Sequence, residues 1–107
     1  MTHIALHAVT KLERNFVTSM VMDEISAQGG WVEDVHLFSN IMTTIRFVIK
    51  QGKLADLRAA LNQAGLQVSG MDEAVQWIAD ADCNGSLQVT FVHNQPDLRR
   101  EIPQVPG

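Results

Sequence analysis

Cysteine, basic side chains and long apolar runs are all scarce in this chain, and each shortage closes off a class of protein. Cys83 is the only cysteine among 107 residues, so no intrachain disulfide can form and no oxidising compartment is indicated. Eight Lys and Arg stand against twelve Asp and Glu, a formal charge of -4, and the basic residues are scattered instead of gathered into a stripe. Phosphate recognition depends on clustered cations, so nucleic acid is not an expected partner. No apolar stretch approaches the roughly 18 residues of a membrane span. The first nine residues lack a basic leader and break their apolar run at His3 and His7, unlike a signal peptide. A soluble cytoplasmic protein without membrane contact is the expectation. A G-x-S-x-G elbow, a phosphate loop and a dinucleotide fingerprint are also missing, which leaves hydrolytic and nucleotide-dependent enzymes without support. No catalytic residue, cofactor or resident metal is expected.

What is present reads as one folded domain. Apolar residues make up 46% and charged residues 19%, an ordinary globular balance at a length that suits one core. His3 to Val9 alternate like a half-buried strand. Thr10 and Glu13 have capping-box spacing, and Val17, Met20, Val21 and Ile25 then recur at helical intervals before Gly29 and Gly30 end the helix. Trp31 to Phe38 and Ile41 to Lys50 read as a hairpin, with Ile41, Thr43, Ile45, Phe47 and Ile49 on its core face. Leu54, Leu57, Leu61 and Ala64 form the stripe of a second helix, which Gly65 closes with Leu66 folding back. Leu66 to Ser69 suit a short strand.

Residues 3–69 therefore run β-α-β-β-α-β, the order of a ferredoxin-like sandwich. The expected fold is α+β: an antiparallel sheet with two helices on one face, plus a C-terminal extension carrying one further strand. Met71 to Ala81 are expected to be helical, Asn84-Gly85 to turn, and Ser86 to His93 to form the added strand. The single domain is placed at residues 1–94, and residues 95–107, with Pro96, Pro103 and Pro106, at an extended or mobile tail.

The strand His3 to Val9, the helix ending Ile25-Ser-Ala-Gln-Gly-Gly, and Ile45-Arg-Phe-Val-Ile-Lys followed by Leu54 to Leu66 resemble an ACT-type regulatory domain. That resemblance implies a ferredoxin-like module that dimerises and often binds amino acids at the subunit boundary. The turn Thr10 to Asn15 contains no glycine, unlike the ligand-binding forms, so the resemblance speaks for fold and dimerisation ahead of amino-acid binding.

Three groups of residues invite a chemical reading. His3, His7 and His36 fall on strand positions of the helix-free face, at a spacing expected to be about 10 Å between strands, too loose for a ready metal site. Asp80-Ala-Asp82-Cys-Asn84-Gly85 copies the first half of a calcium loop, but its twelfth position is Phe91, so a polar turn is expected instead. Cys83 has no base or cation in sequence reach to activate it. The helix-free face is left with a mixed apolar and polar surface, on which His7, Val9, His36, Phe38, Met42, Thr44 and Arg46 are the expected ligand or dimer-interface residues. Exposed apolar patches commonly mark interfaces, and homodimers are the commonest soluble oligomers. The expectation is a non-enzymatic regulatory or ligand-sensing domain that forms a homo-oligomer through its sheet and takes a small metabolite such as an amino acid. The alternatives are a small dimeric α/β-barrel enzyme of the isomerase or cofactor-free oxygenase type, with His7, His36 or Arg46 in acid-base or anion-binding roles, and a structural subunit of a larger assembly.

Overall fold

The computed structural model describes residues 2–39, 41–70 and 80–92. They fold as β1 (Thr2–Thr10), α1 (Arg14–Ala27), β2 (Trp31–Ser39), β3 (Met42–Lys50), α2 (Leu54–Gln63), β4 (Val68–Ser69) and β5 (Asp82–Phe91), with a short 3-10 turn at Gln51–Lys53. The architecture is α+β, with one five-stranded sheet in the order β2-β3-β5-β1-β4.

Both helices lie on one side of this sheet, because their apolar stripes and one face of the strands form a single buried cluster. Val17, Val21 and Ile25 of α1 and Leu54, Leu57 and Leu61 of α2 meet Ile4 and Leu6 of β1, Ile45, Phe47 and Ile49 of β3, and Leu87 and Val89 of β5. The helix endings follow from local chemistry. Gly29 and Gly65 take φ of +84° and +102°, and Gly30 and Leu66 donate back to the carbonyls of Ile25 and Leu61 at 3.0 and 2.9 Å. The start of α1 differs from the expected capping box. Thr10 stays in β1, where its hydroxyl accepts from the Leu12 N–H, and Glu13 caps the helix instead, its carboxylate accepting from the N–H groups of Asn15 and Phe16, both at 2.9 Å. Those two backbone donors hold the Glu13 carboxyl below the usual range, so the ionised cap persists as pH falls and is lost only below that range.

The expected antiparallel sheet is corrected to a mixed one. β5 lies between β1 and β3, parallel to β1 along its whole length and antiparallel to β3. The added strand is thus the centre of the sheet and not an extension of it. It also begins earlier than expected: Asn84-Gly85, a turn signal in sequence, sits inside β5. The physical reason is Phe47 on β3, whose ring lies against Gly85 so closely that a Cβ there would be 2.3 Å from Cζ. Gly85 makes room for a ring and does not turn the chain. The calcium-loop and hairpin-turn readings of Asp80 to Gly85 fall with it, since Asp82, Cys83 and Asn84 alternate across the sheet.

The expected helix over Met71 to Ala81 falls mostly on residues 71–79, which lie outside the described residues, as does the expected tail at 95–107. Among the described residues no helix is long and apolar enough to cross a membrane.

Candidate self-association and ligand face

The strand register builds the helix-free face row by row. Ser69, His7, Gln88, Thr44 and His36 form one line across β4, β1, β5, β3 and β2. Beside it run Val9, Thr90, Met42 and Ser39, and on the other side Ala5, Ser86, Arg46 and Asp34. Directly opposed side chains on neighbouring strands are close enough to interact, so each row is a line of contacts across the sheet.

The expected site residues all belong to this face, although they do not converge on one pocket. Val9 and Phe38 are each 62% exposed, and Trp31, opposite Val48, is 53% exposed. Met42, Thr44 and Arg46 lie on β3, between β2 and the central β5. Phe38 stacks on His36 with ring centroids 6.0 Å apart and 24° between planes. Val48, which alternation also assigns to this side, is only 4% exposed and adds little surface. His7 and His36 are farther apart than expected: β5 as well as β3 intervenes, so their strands are three spacings apart, about 14 Å. Among the described residues no group of three or more His, Cys, Asp or Glu is placed to hold a metal.

Charge on the face is held in loose, exposed pairs. Asp34 Oδ2 lies 3.4 Å from Arg46 Nη1 and 3.8 Å from His36 Nε2, and Lys50 Nζ lies 3.0 Å from Asp82 Oδ1. Pairs this exposed contribute little to stability, so they tune the surface more than they hold the fold. At the far edge, where β4 pairs with only His7 and Ala8, a shallow depression of about 350 Å³ is lined by His7, Ala8, Val9, Gln67, Val68 and Ser69.

Sequence reasoning missed Asp34, Ser86 and Gln88. Period-2 alternation over the expected strand Ser86 to His93 already groups Ser86 with Gln88, and only the position of β5 between β1 and β3 brings them to this face. Asp34 shares a face with His36 by the same alternation, whereas Trp31, opposite Val48, reaches it only through the irregularity in the β2 register between Val32 and Asp34.

Cys83 is on the opposite side, fully buried, with its Sγ 3.6 Å from the carbonyl oxygen of Asn84. Burial raises its pKa, which keeps it a thiol and removes it as a nucleophile. Reaction with an aromatic disulfide reagent is therefore expected to follow global unfolding, with labelling and circular dichroism sharing one urea midpoint. Complete labelling of the native protein within seconds would contradict this placement.

Comparison with family models, with curated proteins and with solved structures yields no match.

Proposed function

We propose that this chain is a non-enzymatic regulatory or ligand-sensing domain, that it self-associates through the open face of its sheet, and that a small metabolite such as an amino acid binds at the subunit boundary. The observation that carries this reading is the composition of that face: Val9 and Phe38 present large apolar surfaces beside His7, Thr44, Gln88 and Arg46. Apolar patches rimmed by polar groups are what protein and ligand interfaces look like, and water alone covers them poorly. The strand order supports a ferredoxin-like ancestry in a modified form. Omitting β5 from the sheet leaves β4-β1-β3-β2, with β1 and β3 running in opposite directions, and an ACT-like regulatory module remains the reading of residues 3–69.

Ligand binding is tested by a thermal-shift screen against amino acids, nucleotides and divalent metals. A ligand selective for the folded state at a hundred times its Kd adds about 2.7 kcal/mol and raises the midpoint by several degrees. A flat response across the screen contradicts the sensing role. Self-association is tested with Val9→Lys, which sets a charge within the proposed contact. The dissociation constant is expected to rise about tenfold or more, an effect of about 1.4 kcal/mol or greater, with the circular dichroism spectrum unchanged. An unaltered constant counts against the open face as the contact.

A further inference from the structure

β2 ends the sheet, and no strand among the described residues pairs with its outer side. It carries exposed apolar side chains on both faces: Val35 and Leu37, opposite core-facing Ile45 and Thr43, are 36% and 61% exposed, and Trp31 and Phe38 are 53% and 62% exposed. A long apolar edge of this kind is a template for another strand. Its register shifts at Val32/Asp34 and at Leu37/Ser39, and between those shifts Asp34, Val35, His36 and Leu37 run regularly against Arg46, Ile45, Thr44 and Thr43.

That regular run is self-complementary. A two-fold axis normal to the sheet brings up an antiparallel copy and keeps every residue on its own face, so residues that meet must share a face. With the axis at Val35, Asp34 meets His36 of the partner subunit, His36 meets Asp34 of the partner subunit, and Val35 meets its own counterpart. An axis at His36 instead opposes two histidines and sets Asp34 against Phe38, which leaves the carboxylate with no donor opposite it. Asp34 Oδ2 lies 3.4 Å from Arg46 Nη1 and 3.8 Å from His36 Nε2, a loose hold that leaves it able to accept from a further donor.

We infer that the Asp34–Leu37 run of β2 is a self-pairing edge, to which a second copy of this chain adds antiparallel about a two-fold axis at Val35 and joins the two sheets into one. The joined sheet also makes the two open faces continuous. The backbone edge of β2 is distinct from the open face, on which the Asp34 and His36 side chains also lie, and Val9 on β1 is remote from that edge, so the contrast between the His36 variants and Val9→Lys separates the two contacts.

Sedimentation equilibrium on the full chain compares the wild type with His36→Asp, His36→Lys and Val9→Lys. His36→Asp opposes like charges twice across the axis and is expected to weaken self-association about tenfold, whereas His36→Lys keeps a donor opposite Asp34 and stays within about twofold of the wild type. Equal association of His36→Asp and wild type, or equal weakening by both His36 variants, overturns the inference. A loss confined to Val9→Lys overturns it too while sparing the open-face contact, and a wild type that stays monomeric overturns both. If His36→Asp fails to fold, amide exchange of the wild type decides: protection at Val35 to Leu37 that grows with protein concentration supports the edge, and protection independent of concentration refutes it.

Discussion

Gly85→Ala is expected to destabilise the protein by about 3 kcal/mol, at the upper end of what overpacking a tight core costs. The added methyl group would stand 2.3, 2.6 and 2.9 Å from Cζ, Cε2 and Cε1 of Phe47. Real side chains do not approach this closely, so something must move. Phe47 is 1% exposed and sits among Ile4, Leu6, Ile45 and Leu87 in the common core, which leaves its ring little room to retreat. Phe47→Leu removes the ring atoms that would collide, at the cost of a cavity of its own. In the double variant the two losses are therefore expected to be less than additive, by about 1 to 2 kcal/mol. Urea unfolding of the two single variants and the double variant measures the coupling. Strictly additive losses would show that the ring does not lie over Gly85.

Removing β5 is expected to abolish the fold. A chain ending at Gly70 contains the whole β-α-β-β-α-β order, and a self-sufficient sandwich of that order would fold without any residue C-terminal to Gly70. Here every residue from Thr2 to Thr10 is in register with β5, and β5 is equally the partner of β3 from Met42 to Lys50. Its loss separates β2 and β3 from β1 and β4 and takes Cys83, Leu87, Val89 and Phe91 out of the core. At about 1.5 to 3 kcal/mol for each large buried side chain, that apolar loss alone is comparable with the entire stability of a small domain, about 5 to 15 kcal/mol. The truncated chain should show no cooperative thermal transition. A sharp transition would mean that β1 and β3 pair directly when β5 is gone, and that β5 is an accessory to a smaller fold.

How far the sequence reveals this structure depends on the range of the interaction. Helical stripes such as Leu54, Leu57 and Leu61, the glycine endings at Gly29 and Gly65, and the alternation of Thr43, Ile45, Phe47 and Ile49 are local signals, and the structure carries each of them through. Their sum places both helices on one side and the expected interface residues on the other. The position of β5 is a long-range fact. Asn84-Gly85 reads the same whether its glycine turns the chain or clears space for a ring from a distant strand, and only the location of Phe47 decides between them. Taking that pair for a turn still leaves Ser86 and Gln88 on a strand, and it is the insertion of that strand between β1 and β3 that puts them at the centre of the open face. The irregularity in β2 between Val32 and Asp34 hides Trp31 in a similar way, because an extra residue shifts which side chains share a face. The cap of α1 moved for a smaller reason: Thr10 is held in β1 by pairing with Phe91, which leaves Glu13 nearest the free N–H groups of the helix.

The helix-free side of the sheet, with Val9 and Phe38 uncovered and Thr44, Gln88 and Arg46 between them, is the surface that the proposed self-association covers. Multi-angle light scattering of the untagged chain at micromolar concentration tests that proposal most directly. A mass of twice 11.8 kDa or a higher multiple is expected, and a single species of 11.8 kDa at every concentration would contradict it.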